Sequence, residues 1–168
     1  IIDVEDQKQI AHQVLDHLGV DKSVKNINSF LSGIAGRKST GGYVETYLTQ
    51  SANKIDVENC RDEFELYIAM QLKLFALDFD DLILKTVELF KTCPEVLSYY
   101  QNKFKYVLVD EYQDTNSCQY KLVEMLAGLH RNLCVVGDDD QSIYKFRGAD
   151  ITNILDFEKY FTEAKVVK

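Results

Sequence analysis

Residues 106–109 are Tyr-Val-Leu-Val, a short apolar run, and they lead directly into Asp-Glu-Tyr-Gln-Asp at residues 110–114. A second apolar run, Leu133-Cys134-Val135-Val136, leads in the same way into Gly-Asp-Asp-Asp-Gln at residues 137–141. Continuous apolar runs separated by helical segments are typical of buried parallel strands. The two runs therefore predict neighbouring parallel strands in an α/β fold, and Lys165-Val166-Val167 is a candidate third strand.

Helical patterns fill most of the remaining sequence. Apolar residues recur at helical spacing between the two strands, and also from Phe79 to just before Pro94, with a short helix to about Asn102. Before residue 78 the patterns are helical only, in the segments Asp3–Gly19, Ser23–Ile34, Tyr43–Ser51 and Cys60–Leu77. We expect Asp3 to cap the first helix and Gly19 to end it. We therefore predict an all-helical subdomain over residues 1–77 and a partial α/β domain over residues 78–168.

Composition excludes several classes of protein. The net charge of −8 argues against a simple basic nucleic-acid-binding module. The four cysteines are far apart and form no CxxC pair, which predicts reduced thiols in a cytoplasmic protein rather than disulfides or a zinc site. No run approaches the roughly 18 apolar residues of a membrane-spanning helix, so no membrane partner is expected. Because residue 1 is Ile and not Met, the chain is expected to begin inside a longer protein.

Acidic residues follow both predicted strands at the point where each strand ends. In open parallel sheets, ligands bind beyond the carboxyl ends of the strands, so these carboxylates should meet in one crevice. The adjacent pair Asp110 and Glu111 suits phosphoryl chemistry: one carboxylate can hold Mg²⁺, and the other can orient and deprotonate a water molecule. A solvated turn or a helix N-cap would also explain an acidic pair after a strand.

The sequence around these acidic residues is similar to two motifs of the UvrD-like superfamily 1 DNA helicases. Residues 110–116, Asp-Glu-Tyr-Gln-Asp-Thr-Asn, resemble motif II, the Walker B box, and residues 135–150 resemble motif III. Residues 79–82, Phe-Asp-Asp-Leu, resemble the segment that leads back into the first motor domain. Residues 1–77 resemble, more weakly, the helical insertion of that domain, subdomain 1B. The resemblance implies a partial RecA-like parallel sheet flanked by helices, with an all-helical N-terminal subdomain.

The resemblance implies roles at the nucleotide. Asp110 would bind Mg²⁺, and Glu111 would be the base that activates water. Gln141 would sense the γ-phosphate of ATP. Gln113 and Asp114 would join a hydrogen-bond network that links the nucleotide to DNA.

The resemblance also implies contacts with DNA from the motif III segment. Tyr144 and Phe146 would lie near single-stranded DNA and stack on its bases, which is worth roughly 1–3 kcal/mol per base for any sequence. Packing in the core is the alternative for both rings, and Phe146 stands where Trp is common in relatives. Arg147 would be a contact in the nucleotide network, with an ion pair to a nearby carboxylate as the alternative.

Residues 33–40, Gly-Ile-Ala-Gly-Arg-Lys-Ser-Thr, invite comparison with the phosphate-binding Walker A loop. The spacing does not fit GxxxxGK[ST], because the two glycines are three residues apart and Arg37 intervenes. We predict an exposed polar loop here instead, from which Arg37 and Lys38 would contact a DNA phosphate.

The function implied for the parent protein is that of an ATP-dependent 3′–5′ DNA helicase. It would couple hydrolysis of Mg²⁺-bound ATP to movement on single-stranded DNA and to unwinding of duplex DNA, together with the remaining motor domains. The 168-residue chain alone is expected to be inactive, because it contains no Walker A motif and no second motor domain. Two alternatives remain open: a metal-dependent nuclease or phosphatase that uses Asp110, Glu111, Asp138 and Asp140, or a non-catalytic module that binds protein or DNA.

Overall fold

The computed structural model describes residues 1–40, 58, 60, 62–138, 140, 149–150, 152–155 and 157–167. The chain divides into two compact units, Ile1–Glu88 and Leu89–Lys168. The predicted boundary near residue 77 refers to the subdomains of the helicase family and remains a prediction. Among the described helices, none combines the length and the apolar character that crossing a bilayer requires.

Four described helices begin in the first unit: α1 (Val4–His17), α2 (Val24–Ser39), α3 (Glu63–Lys73) and α4 (Phe79–Thr92). Each of the first three is capped by a polar side chain. Asp3 accepts hydrogen bonds from the backbone N–H groups of Glu5 and Asp6, while Ser23 caps α2 and Asp62 caps α3. Gly19 follows α1 in the left-handed conformation, with φ +68°. The predicted start and end of the first helix are confirmed.

The core of the first unit lies where α1 contacts α2 and α3. Its buried apolar side chains follow the helical spacing of the sequence: Ile10, Ala11, Val14, Leu15, Ile27, Ile34, Phe64, Leu66 and Tyr67. Phe30 meets the ring of Tyr67 edge to face, with the centroids 5.8 Å apart. Burial of these apolar faces is the main force that holds the three helices together.

The prediction of an exposed polar loop within residues 33–40 is wrong. Helix α2 continues through Gly33 and Gly36 to Ser39, although each glycine disfavours a helix interior by about 1 kcal/mol relative to Ala. Tertiary contacts outweigh this cost, because Lys38 is buried against residues of α3 and of the start of α4.

The helix predicted over residues 43–51 lies outside the described residues. The helix predicted over residues 60–77 is shorter in the structure, where it is α3.

The second unit contains the two strands, β1 (Val107–Val109) and β2 (Leu133–Val135). They pair in parallel, with Val107, Leu108 and Val109 opposite Leu133, Cys134 and Val135. The other described elements of this unit are α5 (Pro94–Lys103), a 3₁₀ turn (Tyr112–Asp114), α6 (Ser117–Ala127), α7 (Thr152–Leu155) and α8 (Phe157–Tyr160). Helix α6 connects β1 to β2, as parallel strands require. The predicted pair of neighbouring parallel strands joined by a helix is confirmed.

Two expectations about the sheet are wrong. The strands are not fully buried: the Leu108 side chain is 77% exposed and its partner Cys134 is exposed. Alternate residues of a strand point to opposite faces of the sheet, and no described element covers the face that carries these two. Residues Lys165, Val166 and Val167 form no strand; together with β2 they line a cavity of about 620 Å³.

Candidate active site

The chain segments that follow β1 and β2 lie side by side. The N–H of Val136 donates a hydrogen bond to the carbonyl oxygen of Val109 at 2.8 Å, and the N–H of Tyr112 donates to the carbonyl of Val136 at 3.0 Å. Pairing therefore continues past the ends of both strands. Asp110 and Glu111 lie at the same sheet edge as Asp138, as expected for the carboxyl ends of parallel strands.

The Asp110–Glu111 pair has an unusual backbone. Glu111 adopts the left-handed conformation, with φ 51° and ψ 42°, which is strained for a residue with a Cβ by roughly 1–2 kcal/mol. Its N–H donates to Oδ1 of Asp110 at 2.9 Å, and its carbonyl accepts from the N–H of Asp114 at 2.9 Å. Both acidic side chains are exposed. A strained residue held by its surroundings, with an exposed carboxylate, is the kind of feature that clusters at functional sites.

Gln113 connects the two strand tips. Its side chain is buried, with only 1% of the residue exposed. Nε2 donates to Oε2 of Glu111 at 2.7 Å, and Oε1 accepts from the N–H of Asp138 at 3.0 Å. Both ends of the amide are therefore engaged inside the protein. The role predicted for Gln113 in the network around the nucleotide remains a prediction.

Tyr112 anchors the turn that follows the acidic pair. It is fully buried, and its ring meets Phe157 edge to face at 5.7 Å. Burial raises the pKa of Tyr112 to about 12, and Tyr120 and Glu124 add to the shift. Among the described residues, nothing hydrogen-bonds to the Tyr112 hydroxyl or to the buried Oδ1 of Asp114. The role predicted for Asp114 remains a prediction.

Two residues that support this turn were missed by the sequence analysis. Asn153 donates from Nδ2 to the carbonyl and to the hydroxyl oxygen of Thr115, at 3.0 and 3.2 Å. The N–H of Asp150 donates to the same Thr115 carbonyl at 3.0 Å. Oδ1 of Asp150 also accepts from the N–H and the hydroxyl of Thr152. The spacing Asp-x-Thr before a short helix is an N-cap pattern that would have indicated Asp150.

Within the described part of the chain, no group of three His, Cys, Asp or Glu side chains is placed to hold a metal ion. The set Asp110, Glu111, Asp138 and Asp140 therefore does not form such a group. Oδ1 of Asp138 instead accepts a hydrogen bond from the N–H of Asp140. A site for Mg²⁺ at Asp110 does not need such a group, since Mg²⁺ keeps several waters and takes one or two protein carboxylates beside the phosphates of a nucleotide. The exposed carboxylate of Asp110 at the strand tip fits that donor set.

Four predicted site residues, Gln141, Tyr144, Phe146 and Arg147, lie outside the described residues. Their roles remain predictions.

Lys38, which was expected to contact DNA from an exposed loop, is buried, and that expectation is wrong. Its ammonium lies 2.6 Å from Oδ2 of Asp78 and 2.9 Å from Oδ1 of Asp81, and it donates to Oε1 of Gln71 at 3.1 Å. A buried charge requires such partners, and burial keeps the ammonium away from any phosphate at the surface. Arg37, in contrast, is exposed, with its guanidinium 5.2 Å from the centre of the Phe64 ring. A DNA contact by Arg37 remains a prediction.

Asp78 and Asp81 were also missed by the sequence analysis. Each accepts the backbone N–H of the other at 3.0 Å, which is a reciprocal cap at the start of α4. Burial raises the pKa of Asp78, and the Lys38 ammonium opposes that shift. The spacing Asp-x-x-Asp before an apolar helix is the signal that indicates such a cap.

Comparisons with known proteins show the family of the chain. The family described as the UvrD/REP helicase N-terminal domain matches residues 1–162. The ATP-dependent DNA helicase PcrA of Staphylococcus epidermidis is 46% identical over 167 residues, which are 99% of this chain and 23% of that protein. PcrA of Staphylococcus aureus is 46% identical over 170 residues, with the same two coverages. The chain thus spans less than a quarter of the length of these relatives, and it belongs to the UvrD/REP helicase family as a part of the N-terminal domain.

Proposed function

We propose that the chain supplies the hydrolytic carboxylates of an ATP-driven DNA helicase. The observation that carries the proposal is the placement of Glu111. Its exposed carboxylate lies at the carboxyl edge of two parallel strands, beside Asp110, and it is held by a hydrogen bond from the buried Gln113. The relatives named ATP-dependent DNA helicases support the same conclusion.

Asp110 and Glu111 would divide the work of hydrolysis. Asp110 would hold Mg²⁺, which when bound would neutralise the charge that develops on the phosphates of ATP. Glu111 would accept a proton from the attacking water molecule. The exposed position of both carboxylates leaves them accessible to nucleotide and water, and Oδ1 of Asp110 accepts a hydrogen bond from the backbone N–H of Glu111. Gln141 would contact the γ-phosphate, and Asp114 and Arg147 would join the surrounding hydrogen-bond network.

DNA would be contacted by other parts of the chain. Tyr144 and Phe146 would stack on the bases of single-stranded DNA, and Arg37 would contact a phosphate. Hydrolysis would be coupled to 3′–5′ movement on single-stranded DNA and to duplex unwinding. The sheet edge and the exposed face around Leu108 would be completed by further segments of the same first motor domain, and a second motor domain would close on the nucleotide.

The experiment that tests this function is Glu111→Gln in a full-length helicase that carries this sequence. We expect DNA-stimulated ATP turnover to be abolished while nucleotide binding is kept, because the amide fills the same space but accepts no proton. Glu95→Gln, at an exposed position of α5, is the matched control and should keep the wild-type rate. Wild-type turnover by Glu111→Gln would contradict the role of the base.

A further inference from the structure

The amide of Gln113 makes one hydrogen bond to each strand tip. Oε2 of Glu111 accepts from Nε2, and the N–H of Asp138 donates to Oε1. An ionised carboxylate can only accept hydrogen bonds, and a backbone N–H can only donate one. The orientation of the amide is therefore fixed by its two partners, since the flipped amide would face an oxygen with an oxygen and an N–H with an NH₂ group.

The space around this amide is kept free by Gly137. A Cβ at residue 137 would lie 2.5 Å from Oε1 of Gln113 and 2.8 Å from Cδ1 of Ile154. Real Cβ atoms do not approach other atoms so closely, so any other residue would displace the amide or the strand tip. The sequence Val-Gly-Asp after β2 thus has a packing reason: glycine lets the buried amide reach the N–H of Asp138.

The backbone of Glu111 is fixed, so only its side-chain torsions can change the position of its carboxylate. Hydrogen bonds at its N–H and its carbonyl fix the left-handed conformation. The direction of the carboxylate then depends on the side-chain rotamer, which the hydrogen bond from Gln113 selects.

We propose that Gln113 is a positioning residue that sets the orientation of the Glu111 carboxylate from the tip of β2. The inference rests on the proposed function of Glu111 as the base. It adds a physical path between two motifs: Asp138 lies within the segment 135–150 that resembles motif III, so a displacement of Asp138 reaches Glu111 through a single amide.

The test is Gln113→Glu in a full-length helicase that carries this sequence. The new carboxylate has the same shape but faces the carboxylate of Glu111 without a donor. We expect kcat for DNA-stimulated ATP hydrolysis to fall by about 10- to 100-fold, the range typical of residues that orient a functional ligand, with the KM for ATP changed by less than about twofold. A fall in kcat with a nearly unchanged KM indicates that the variant impairs the reaction step and not the binding of ATP. Gln119→Glu is the matched control, because residue 119 caps α6 through an oxygen acceptor that Glu retains; it should keep the wild-type kcat.

Two further variants separate positioning from folding. Gly137→Ala leaves Gln113 in the sequence but places a Cβ against its amide, and it should reproduce the fall in kcat. In the double variant of Glu111→Gln and Gln113→Glu, the amide and the carboxylate exchange places and the hydrogen bond can form again. Its melting temperature should recover relative to Gln113→Glu alone, while turnover stays absent. No recovery would contradict the direct contact between the two side chains.

The outcomes distinguish this inference from the function on which it rests. If Glu111→Gln is inactive but Gln113→Glu and Gly137→Ala keep the wild-type kcat, the positioning role is wrong and the proposed base stands. If Glu111→Gln itself turns over ATP at the wild-type rate, the proposed function fails first.

Discussion

The ammonium nitrogen of Lys38 lies 2.6 Å from Oδ2 of Asp78, and both side chains are buried. Asp81 lies 2.9 Å from the same nitrogen, so one lysine at the end of α2 pairs with both carboxylates that cap the start of α4. Gln71 of α3 also contacts both charges, accepting from Lys38 and donating to Asp81. This network joins three helices through buried charges.

Lys38→Met should destabilise the first unit by about 3–5 kcal/mol, the usual cost of removing one partner from a buried ion pair. Met keeps most of the buried volume but leaves two carboxylates without a cation. Amide hydrogen exchange in the full-length protein is the suitable measurement, because it reports local opening in a protein of several domains. Exchange at the first turn of α4 should become at least about a hundredfold faster, since each 1.4 kcal/mol corresponds to a factor of ten.

Lys22→Met is the matched control for this prediction. Lys22 pairs with Asp16 on the surface, where both side chains are largely exposed, and such pairs contribute about 0–1 kcal/mol. Equal protection of α4 in the Lys38→Met and Lys22→Met variants would show that the buried ion pair does not hold the start of the helix.

Tyr112 should make stability depend on pH in the alkaline range. Burial raises its pKa to about 12, above the value near 10 of an exposed tyrosine. The folded state therefore keeps the phenol protonated where the unfolded state loses the proton. The contribution is complete below about pH 10 and is lost as the pH rises towards about 12.

Tyr112→Phe should remove this alkaline loss and cost little at neutral pH. The ring contact with Phe157 is retained, and the change removes a buried hydroxyl for which the described residues provide no hydrogen bond. At about pH 8 we expect stability to be unchanged or higher by up to about 1 kcal/mol. Melting temperatures of wild type, Tyr112→Phe and the exposed control Tyr106→Phe at about pH 8 and about pH 11 provide the measurement. A Tyr112→Phe variant that loses as much stability as wild type on alkalinisation would argue against the raised pKa.

The sequence predicted local features of this fold better than tertiary ones. The caps of α1 and the parallel pairing of β1 with β2 follow from neighbouring residues and from apolar pattern, and both are confirmed. Lys38 shows where the pattern fails: its glycine-rich surroundings indicate a loop, whereas partners 33 and 40 residues away in sequence keep it in a buried helix. Leu108 shows the converse, since its apolar run indicates burial but nothing described covers it.

The same distinction applies to the candidate site. The acidic residues at the two strand tips could be recognised because their types and spacing are themselves the signal. The hydrogen bond from Gln113 to Glu111 and the space required at Gly137 could not, because they depend on a left-handed backbone at Glu111 and on a contact between two separate segments.

The purified 168-residue chain should hydrolyse no ATP, with or without single-stranded DNA. The carboxylates that we propose for Mg²⁺ and water are present, but the sequence has no GxxxxGK[ST] motif to cradle the phosphates, and a motor of this kind also needs a second domain to close on the nucleotide. The direct assay is release of phosphate from ATP by the purified chain in the presence of Mg²⁺. The Glu111→Gln chain, purified in the same way, gives the background from any contaminating ATPase. DNA-stimulated release that disappears in the Glu111→Gln chain would mean that these residues form a complete catalytic site by themselves. Cleavage of DNA with Mg²⁺ but without ATP would instead favour the nuclease alternative, for which the described residues offer no group of three side chains placed to hold a metal ion.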